Sequence, residues 1–265
     1  YGDEVPSIVE SVENLQTGEL ETYGLYDRVI VVDFSFAIDI LNLWQKAGIE
    51  VLVIDHHKTA MADLAQFSNA VFDLNESGAT LAWKTFFPGE PMPAFLDYVR
   101  DRDLWNFDLP LSEEVHEAMS FIGRDFWKLD RLASMSLPEI QEAIGSLGKV
   151  LLEPKRKRIA EIAETAYCSA FIDDDEVHSI IAVEIQANES RLISDICAHL
   201  YRNAQNCAFV MAYVWNAESK HYDLSFRSDK KGNNFDVSTI ARSLGGGGHR
   251  NAAGARWGNL EFLGD

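Results

Sequence analysis

The chain has 265 residues, nearly half of them hydrophobic, with 42 acidic against 23 basic residues and a formal net charge of −19. That length holds one large domain or two ordinary ones, and the charge argues against tight binding of long duplex DNA, which rests on many Lys and Arg contacts to phosphate. No apolar run nears the ~20 residues of a membrane helix, the opening Tyr1-Gly2-Asp3-Glu4 does not read as a signal peptide, and three cysteines without a C-x-x-C pair point to neither a disulfide framework nor a thiolate zinc site. The expectation is a cytoplasmic protein with no membrane partner.

Residues 29–33 (Val-Ile-Val-Val-Asp) and 51–55 (Val-Leu-Val-Ile-Asp) are continuous apolar runs of the kind buried on both faces of a parallel sheet. Between them Phe36, Ile40, Leu43, Trp44 and Ala47 recur at helical spacing, and Gly48 is a helix stop. Strand, helix and strand in this order form a parallel βαβ unit. Residues 71–74 read as a third strand, and 79–87 and 93–99 as helices.

From Phe126 to Tyr167 the pattern is mostly helical, with Ile159, Ile162, Ala163 and Ala166 on one stripe. The basic run Lys155-Arg156-Lys157-Arg158 reads as a solvated face of this helix, with substrate contact as the lesser reading. A second pattern follows. Residues 179–183 read as a strand, and Leu192, Ile193, Ile196, Cys197 and Leu200 mark an amphipathic helix that also carries His199, read as packed or surface. Residues 207–215 and 221–227 form a hairpin across a polar turn. Asp236 caps a short helix, and a glycine-rich loop, Gly245-Gly246-Gly247-Gly248-His249-Arg250, then leads into Asn251-Ala252-Ala253-Gly254.

Two constellations carry chemistry. Asp33 ends the first strand and Asp55-His56-His57 ends the second. Neighbouring parallel strands bring their carboxyl ends side by side, where open α/β sheets bind ligands. Carboxylate with imidazole suits a divalent cation such as manganese. Asp101 and Asp103, in Arg100-Asp101-Arg102-Asp103-Leu104-Trp105, offer a third acidic group. In the second constellation, successive glycines allow backbone N–H groups to converge on an anion.

Asp55-His56-His57 after an apolar strand, with Asp33 in Val-Val-Asp-Phe-Ser upstream, resembles the DHH superfamily of phosphoesterases. The Gly-Gly-Gly-His-x-x-Ala-Ala-Gly stretch resembles the DHH-associated domain that follows in many members, as do Ser225-Phe226-Arg227-Ser228 and Asp236-Val237-Ser238. The resemblance implies an α/β fold, a parallel-sheet DHH domain over 1–125, a helical connector over 126–167 and a smaller mixed α/β domain over 168–265. The two domains should face each other across a cleft. It implies a manganese-dependent phosphoesterase, with magnesium as the other option, acting on short RNA or DNA oligonucleotides or small nucleotides, and a homodimer as one assembly. The second reading is a catalytically impaired nucleotide-binding module of the same fold.

Residue by residue, the resemblance makes Asp33 a bridge between two ions, His56 a ligand of one of them, and Asp101 the completion of that ion's shell. Asp101 is preferred to Asp103 because Asp101 and Trp105 match the spacing of a family motif. His57 would face the substrate phosphate and Asp55 would orient a histidine. Arg227, His249 and Arg250 would contact substrate, with the amides of Gly246, Gly247 and Gly248 beside them. Family members carry a further strand with an acidic motif before the equivalent of Asp33. The acids at Asp3, Glu4, Glu10, Glu13, Glu19, Glu21 and Asp27 follow no apolar strand. Since Tyr1 is not an initiator Met, that motif is expected upstream of the sequence.

Overall fold

The computed structural model describes residues 27–123, 125–173, 176–204 and 207–264. Of the early acids, Asp3, Glu4, Glu10, Glu13, Glu19 and Glu21 lie outside the described residues. The fold is α/β, and the described residues form one parallel sheet and one mixed sheet.

The first sheet consists of β1 (Arg28–Val32), β2 (Glu50–Asp55) and β3 (Ala70–Phe72), all parallel and in that order. The central strand explains the apolar run of β2: Val51, Val53 and Ile54 are fully buried. β1 departs from the expectation of a strand covered on both faces. It has one hydrogen-bonded neighbour among the described residues, and Ile30 and Val32 are exposed while Val31 turns into the core. Helix α1 (Ile38–Lys46) closes the crossover by laying Leu41 and Trp44 on the sheet beside Phe36. Short α2 (Lys58–Asp63) follows β2, and α3 (Gly78–Phe86) follows β3 behind a capping box between Ser77 and Thr80.

A run of helices connects the two sheets along the chain. It comprises α4 (Phe95–Asp103), α5 (Ser112–Ile122), α6 (Phe126–Ala133) and the 27-residue α7 (Leu137–Ala163). Tyr98, Val115, Ala118, Leu132, Ile140 and Ile144 form its core. The basic run on α7 is more than a solvated face. Lys155 reaches Glu117 at 2.6 Å and Asp195 at 3.0 Å, tying α7 to α5 and to the helix at Asp195.

The second sheet has seven strands: β4 (Tyr167–Asp173), β5 (Glu176–Glu184), β6 (Phe209–Asn216), β7 (His221–Arg227), β8 (Gly247–His249), β9 (Ala252–Trp257) and β10 (Leu263–Gly264). Their order is β10-β4-β5-β6-β7-β9-β8, antiparallel except for the β5–β6 pair. α8 (Ile193–Asn203) packs on one face and α9 (Val237–Ser243) on the other. The glycine-rich segment is not a free loop. β8 and β9 pair as an antiparallel hairpin at the sheet edge. The glycines are required by close approach. A Cβ on Gly246 would lie 2.0 Å from the Gly254 carbonyl oxygen, and Gly248 adopts φ +139° with Ala252 O 2.6 Å from where its Cβ would be.

Gly148 sets the spacing of α5 and α7, since a Cβ there would stand 1.8 Å from Glu114 O. Backbone cannot move aside as a side-chain tip can. Gly148→Ala should therefore destabilise the protein by about 1–3 kcal/mol, read as a lowered urea midpoint. An unchanged midpoint would mean that the two helices separate without cost.

Candidate active site

The carboxyl ends of β1 and β2 deliver Asp33 and the Asp55-His56-His57 triplet to one edge. Asp33 turns sharply, at φ 59°, while its N–H donates to Ile54 O at 2.9 Å. A non-glycine residue in the left-handed region costs on the order of 1 kcal/mol, and here the turn aims the carboxylate at His56. Gly78, the first residue of α3, leaves the room: a Cβ there would fall 2.4 Å from Asp33 Cβ.

His56 is 1% exposed. Its Nε2 lies 2.9 Å from Asp33 Oδ1 and 3.3 Å from Asp103 Oδ2. Burial pulls the imidazole's pKa down, but the hydrogen bond to Asp33 and the charges of Asp103, Asp33 and Asp55 outweigh it, and the net shift is up. Asp103 is pushed up by burial and by the Asp33 charge, against the pull of His56. Asp101 does not join them. Its buried carboxylate accepts from the N–H groups of Asp108 at 2.9 Å and Leu109 at 3.2 Å, and so fixes the loop after α4. Of the two acids, the structure brings Asp103 and not Asp101 onto His56, because residues two apart on a helix do not face the same way.

Asp55 acts on the neighbouring histidine. Its Oδ1 accepts from the N–H of His56 and approaches His57 Nδ1 at 2.6 Å, and its Oδ2 accepts from Ser35 Oγ at 2.6 Å. Burial raises the carboxyl, yet the hydrogen bonds from His57 and Ser35, the His57 charge and the His56 amide bring it down to about 2. Asp55 is thus an anion that only accepts, which puts a proton on His57 Nδ1 and leaves Nε2 to face outward.

His249, from β8, completes a group of three imidazoles. Its ring stacks on His57 at 4.4 Å and lies 4.6 Å from His56. Burial, then the charges of His57 and His56, draw it down to about 3, so it is neutral at physiological pH. The hairpin is held in place by α2. Gly248 N–H donates to Thr59 Oγ1 at 3.0 Å, Lys58 pairs with Asp236, and Arg242 reaches Asp63 at 2.9 Å. The expected glycine amide cradle is corrected by the same contacts. Gly246 N–H is spent on Ala241 O and Gly248 N–H on Thr59, so these two amides serve packing rather than an anion.

Arg227 and Arg250 both line the cleft between the two sheets, whose volume is about 850 Å³. Arg227 donates to the carbonyls of Phe226 and Ala253 and to Ser194 Oγ, while Arg250 pairs with Asp236. Lys58, Lys230 and Tyr201, which had no sequence signal, line the same space with Arg102 and Trp105. Trp105 Nε1 donates to Tyr201 OH at 2.9 Å, and Lys230 donates to Leu104 O and Asn106 Oδ1, so the loop after α4 bridges the two sheets.

The donor set fits a divalent cation. Asp33, Asp55, His56 and His57 each offer a ligand atom within 4.8 Å of the others. Asp55 is already occupied by its hydrogen bonds, and Asp103 stands on His56 Nε2 instead. Two carboxylate oxygens crowd one imidazole nitrogen, an arrangement in which a cation relieves their repulsion better than a single proton does. His56 Nδ1, on the other side of the ring, is buried without a hydrogen-bond partner among the described residues.

Asp103→Asn should weaken divalent-ion binding by at least about ten-fold in titration calorimetry, with little change in melting temperature. Asp101→Ala should chiefly lower the melting temperature, since two buried amides lose their acceptor. The reverse assignment of effects would return Asp101 to the ligand set. A second expectation concerns His116, on α5 at the cleft wall. Burial and the charges of Arg102 and Lys155 draw it down to about 4. A histidine held neutral in the fold contributes stability above its unfolded pKa of 6.5 and loses it as pH falls toward 4, by up to ~3 kcal/mol. The stability of His116→Asn should fall less steeply than that of wild type between pH 7 and pH 4.5. Parallel profiles would show that the ring is charged in the folded protein.

Residues 177–264 match the DHHA1 domain. A curated relative, the uncharacterized protein R106 of Acanthamoeba polyphaga mimivirus, is 26% identical over 273 residues; the match covers 98% of this chain, which spans 62% of that relative's length. Among solved structures, a pGpG-specific phosphodiesterase from Vibrio cholerae is 15% identical with a TM-score of 0.41, over 91% of this chain and 82% of that one. An exopolyphosphatase-related protein from Bacteroides fragilis is 12% identical with a TM-score of 0.41, over 88% and 67%. The part of the chain that matches the DHHA1 domain thus follows a parallel sheet whose carboxyl edge carries Asp55-His56-His57.

Proposed function

We propose that the protein is a manganese-dependent phosphoesterase that hydrolyses the phosphodiester or phosphomonoester bonds of short oligonucleotides or small nucleotides. The observation that carries this reading is the pair of carboxylates, Asp33 and Asp103, on His56 Nε2 at the edge of a cleft whose other walls carry Arg227, Arg250, Lys58 and Lys230. Asp33, His56 and Asp103 would hold the ion. When bound, a divalent ion there supplies a Lewis acid that activates water and neutralises charge on phosphoryl oxygens.

The remaining work falls to the chain's own groups. His57, with its Nδ1 proton fixed by Asp55, has Nε2 free to accept a proton or, once protonated, to donate one to a departing oxygen. Neutral His249 has a ring N–H to offer a phosphoryl oxygen, and hydrogen bonds to charged groups are the stronger kind. The basic side chains of the cleft set a local positive potential within an acidic protein, which favours a small anion over a long polyanion. In this reading the catalytic domain ends near residue 125, residues 126–167 connect, and residues 168–265 bind substrate.

Turnover of two- to five-nucleotide RNAs, cyclic dinucleotides and phosphoadenosine phosphate, with and without manganese, tests the reading. Manganese-dependent release from any of them supports it. Binding without turnover at any manganese concentration would favour a nucleotide-binding module. His249→Ala should raise the Michaelis constant about ten- to hundred-fold, the equivalent of one hydrogen bond to a charged group. A large fall in melting temperature with an unchanged Michaelis constant would assign His249 to folding instead.

A further inference from the structure

Arg102 and His116 line the large cleft on one side and a second cavity on the other. This second cavity has a volume of about 420 Å³ and is walled by α5, α7 and α8. Arg102 is rigidly placed between the two. Its guanidinium lies 4.0 Å over the Trp105 ring and donates to Asp195 at 2.8 Å.

The wall beyond Arg102 is unusual for a chain of net charge −19. Four cationic side chains, Arg102, Lys155, Arg156 and Arg202, meet three carboxylates, those of Glu113, Glu117 and Asp195. The inner pairs are matched, with Lys155 on Glu117 and Asp195. Among the described residues, the outer pair is not. Arg156 and Arg202 share the single carboxylate of Glu113, at 2.6 and 3.9 Å. Each guanidinium has five N–H donors, and both are about half exposed. Most of those donors therefore face the cavity mouth or solvent. The neutral state of His116, whose ring is held down in part by the charges of Arg102 and Lys155, fits a net positive potential here.

We propose that this second cavity is a subsite for the phosphodiester groups of a single-stranded oligonucleotide that extend past the cleft, with Arg156 and Arg202 as the residues that read chain length. The proposal rests on the oligonucleotide reading of the cleft, and it adds a site that neither the Asp-His-His triplet nor the His249 hairpin contains. A substrate of two nucleotides would fill the cleft alone. A longer one would continue past Arg102 and place its next phosphate against the two guanidiniums, displacing the shared contact to Glu113.

The test is titration calorimetry of the full chain, with manganese, against a phosphorothioate-linked RNA dinucleotide and tetranucleotide. The wild-type protein should bind the tetranucleotide at least about ten-fold more tightly, as one or two charge-assisted hydrogen bonds would give. The double variant Arg156→Gln/Arg202→Gln should lose that advantage while keeping the dinucleotide's Kd, which also shows that it is folded. Glu113→Gln, which frees both guanidiniums, should widen the advantage. A length advantage that survives the double variant, or that Glu113→Gln narrows, overturns the subsite. So does dinucleotide binding with no length advantage in the wild type, which leaves the reading of the cleft intact. If neither RNA binds the wild-type chain, the oligonucleotide reading fails and the subsite fails with it.

Discussion

A buried imidazole facing two carboxylates is the constraint around which the molecule is arranged. His56 Nε2 sits within 3.3 Å of both Asp33 and Asp103. Two like charges at such range are costly in a partly desolvated place, and each partner is held there by something else. Asp33 is held in a left-handed turn over a glycine that leaves it space. Asp103 is delivered by the last turn of α4, and the loop beyond that turn is fastened by buried Asp101. The result is a preorganised demand for positive charge, which is what a divalent-ion site requires.

The second sheet answers that demand from across the cleft. Its hairpin brings His249 onto His57, and α2 anchors the hairpin through Thr59, Lys58 and the Asp63–Arg242 pair. α2 begins directly after His57. The segment that follows the Asp55-His56-His57 triplet is therefore also the one that grips the second sheet. The loop after α4 does the same on the opposite flank, through Trp105, Asn106 and Asp108. That loop contains Trp105, Phe107 and Leu111 in the left-handed region. Non-glycine residues held there store strain of order 1 kcal/mol each, and they persist where surrounding contacts over-determine them. Both flanks of the cleft thus couple the geometry around His56 to the seating of the second sheet.

At Asp55 the contacts alone set the chemical role. It lies next to the site yet its oxygens are used by Ser35, the His56 amide and His57. Its low pKa follows from those bonds overcoming burial, so it remains an anion that fixes the tautomer of His57. The division of labour among adjacent acids is set by which hydrogen bonds each one makes. Asp101 and Asp103 divide in the same way, one closing a loop and the other facing the imidazole.

Periodicity and motif order in the sequence determined a good deal. Continuous β-branched runs marked β1 and β2, their spacing around a helical stripe marked a parallel βαβ unit, and Asp33 with Asp55-His56-His57 fell at the strand ends where ligands gather. These features are local, and local patterns report the faces of strands and helices. The glycine run marked a special backbone but not its form, since glycine permits a phosphate-binding loop and a tightly packed hairpin alike. Only the tertiary structure decided that the amides of Gly246 and Gly248 are consumed by Ala241 and Thr59. It likewise decided between Asp101 and Asp103, which stand two residues apart on one helix, because the helix's rotation is set by packing against other elements. Lys58, Tyr201 and the shared carboxylate of Glu113 left no mark in the sequence, because their partners lie far along the chain and proximity between such residues is a property of the fold.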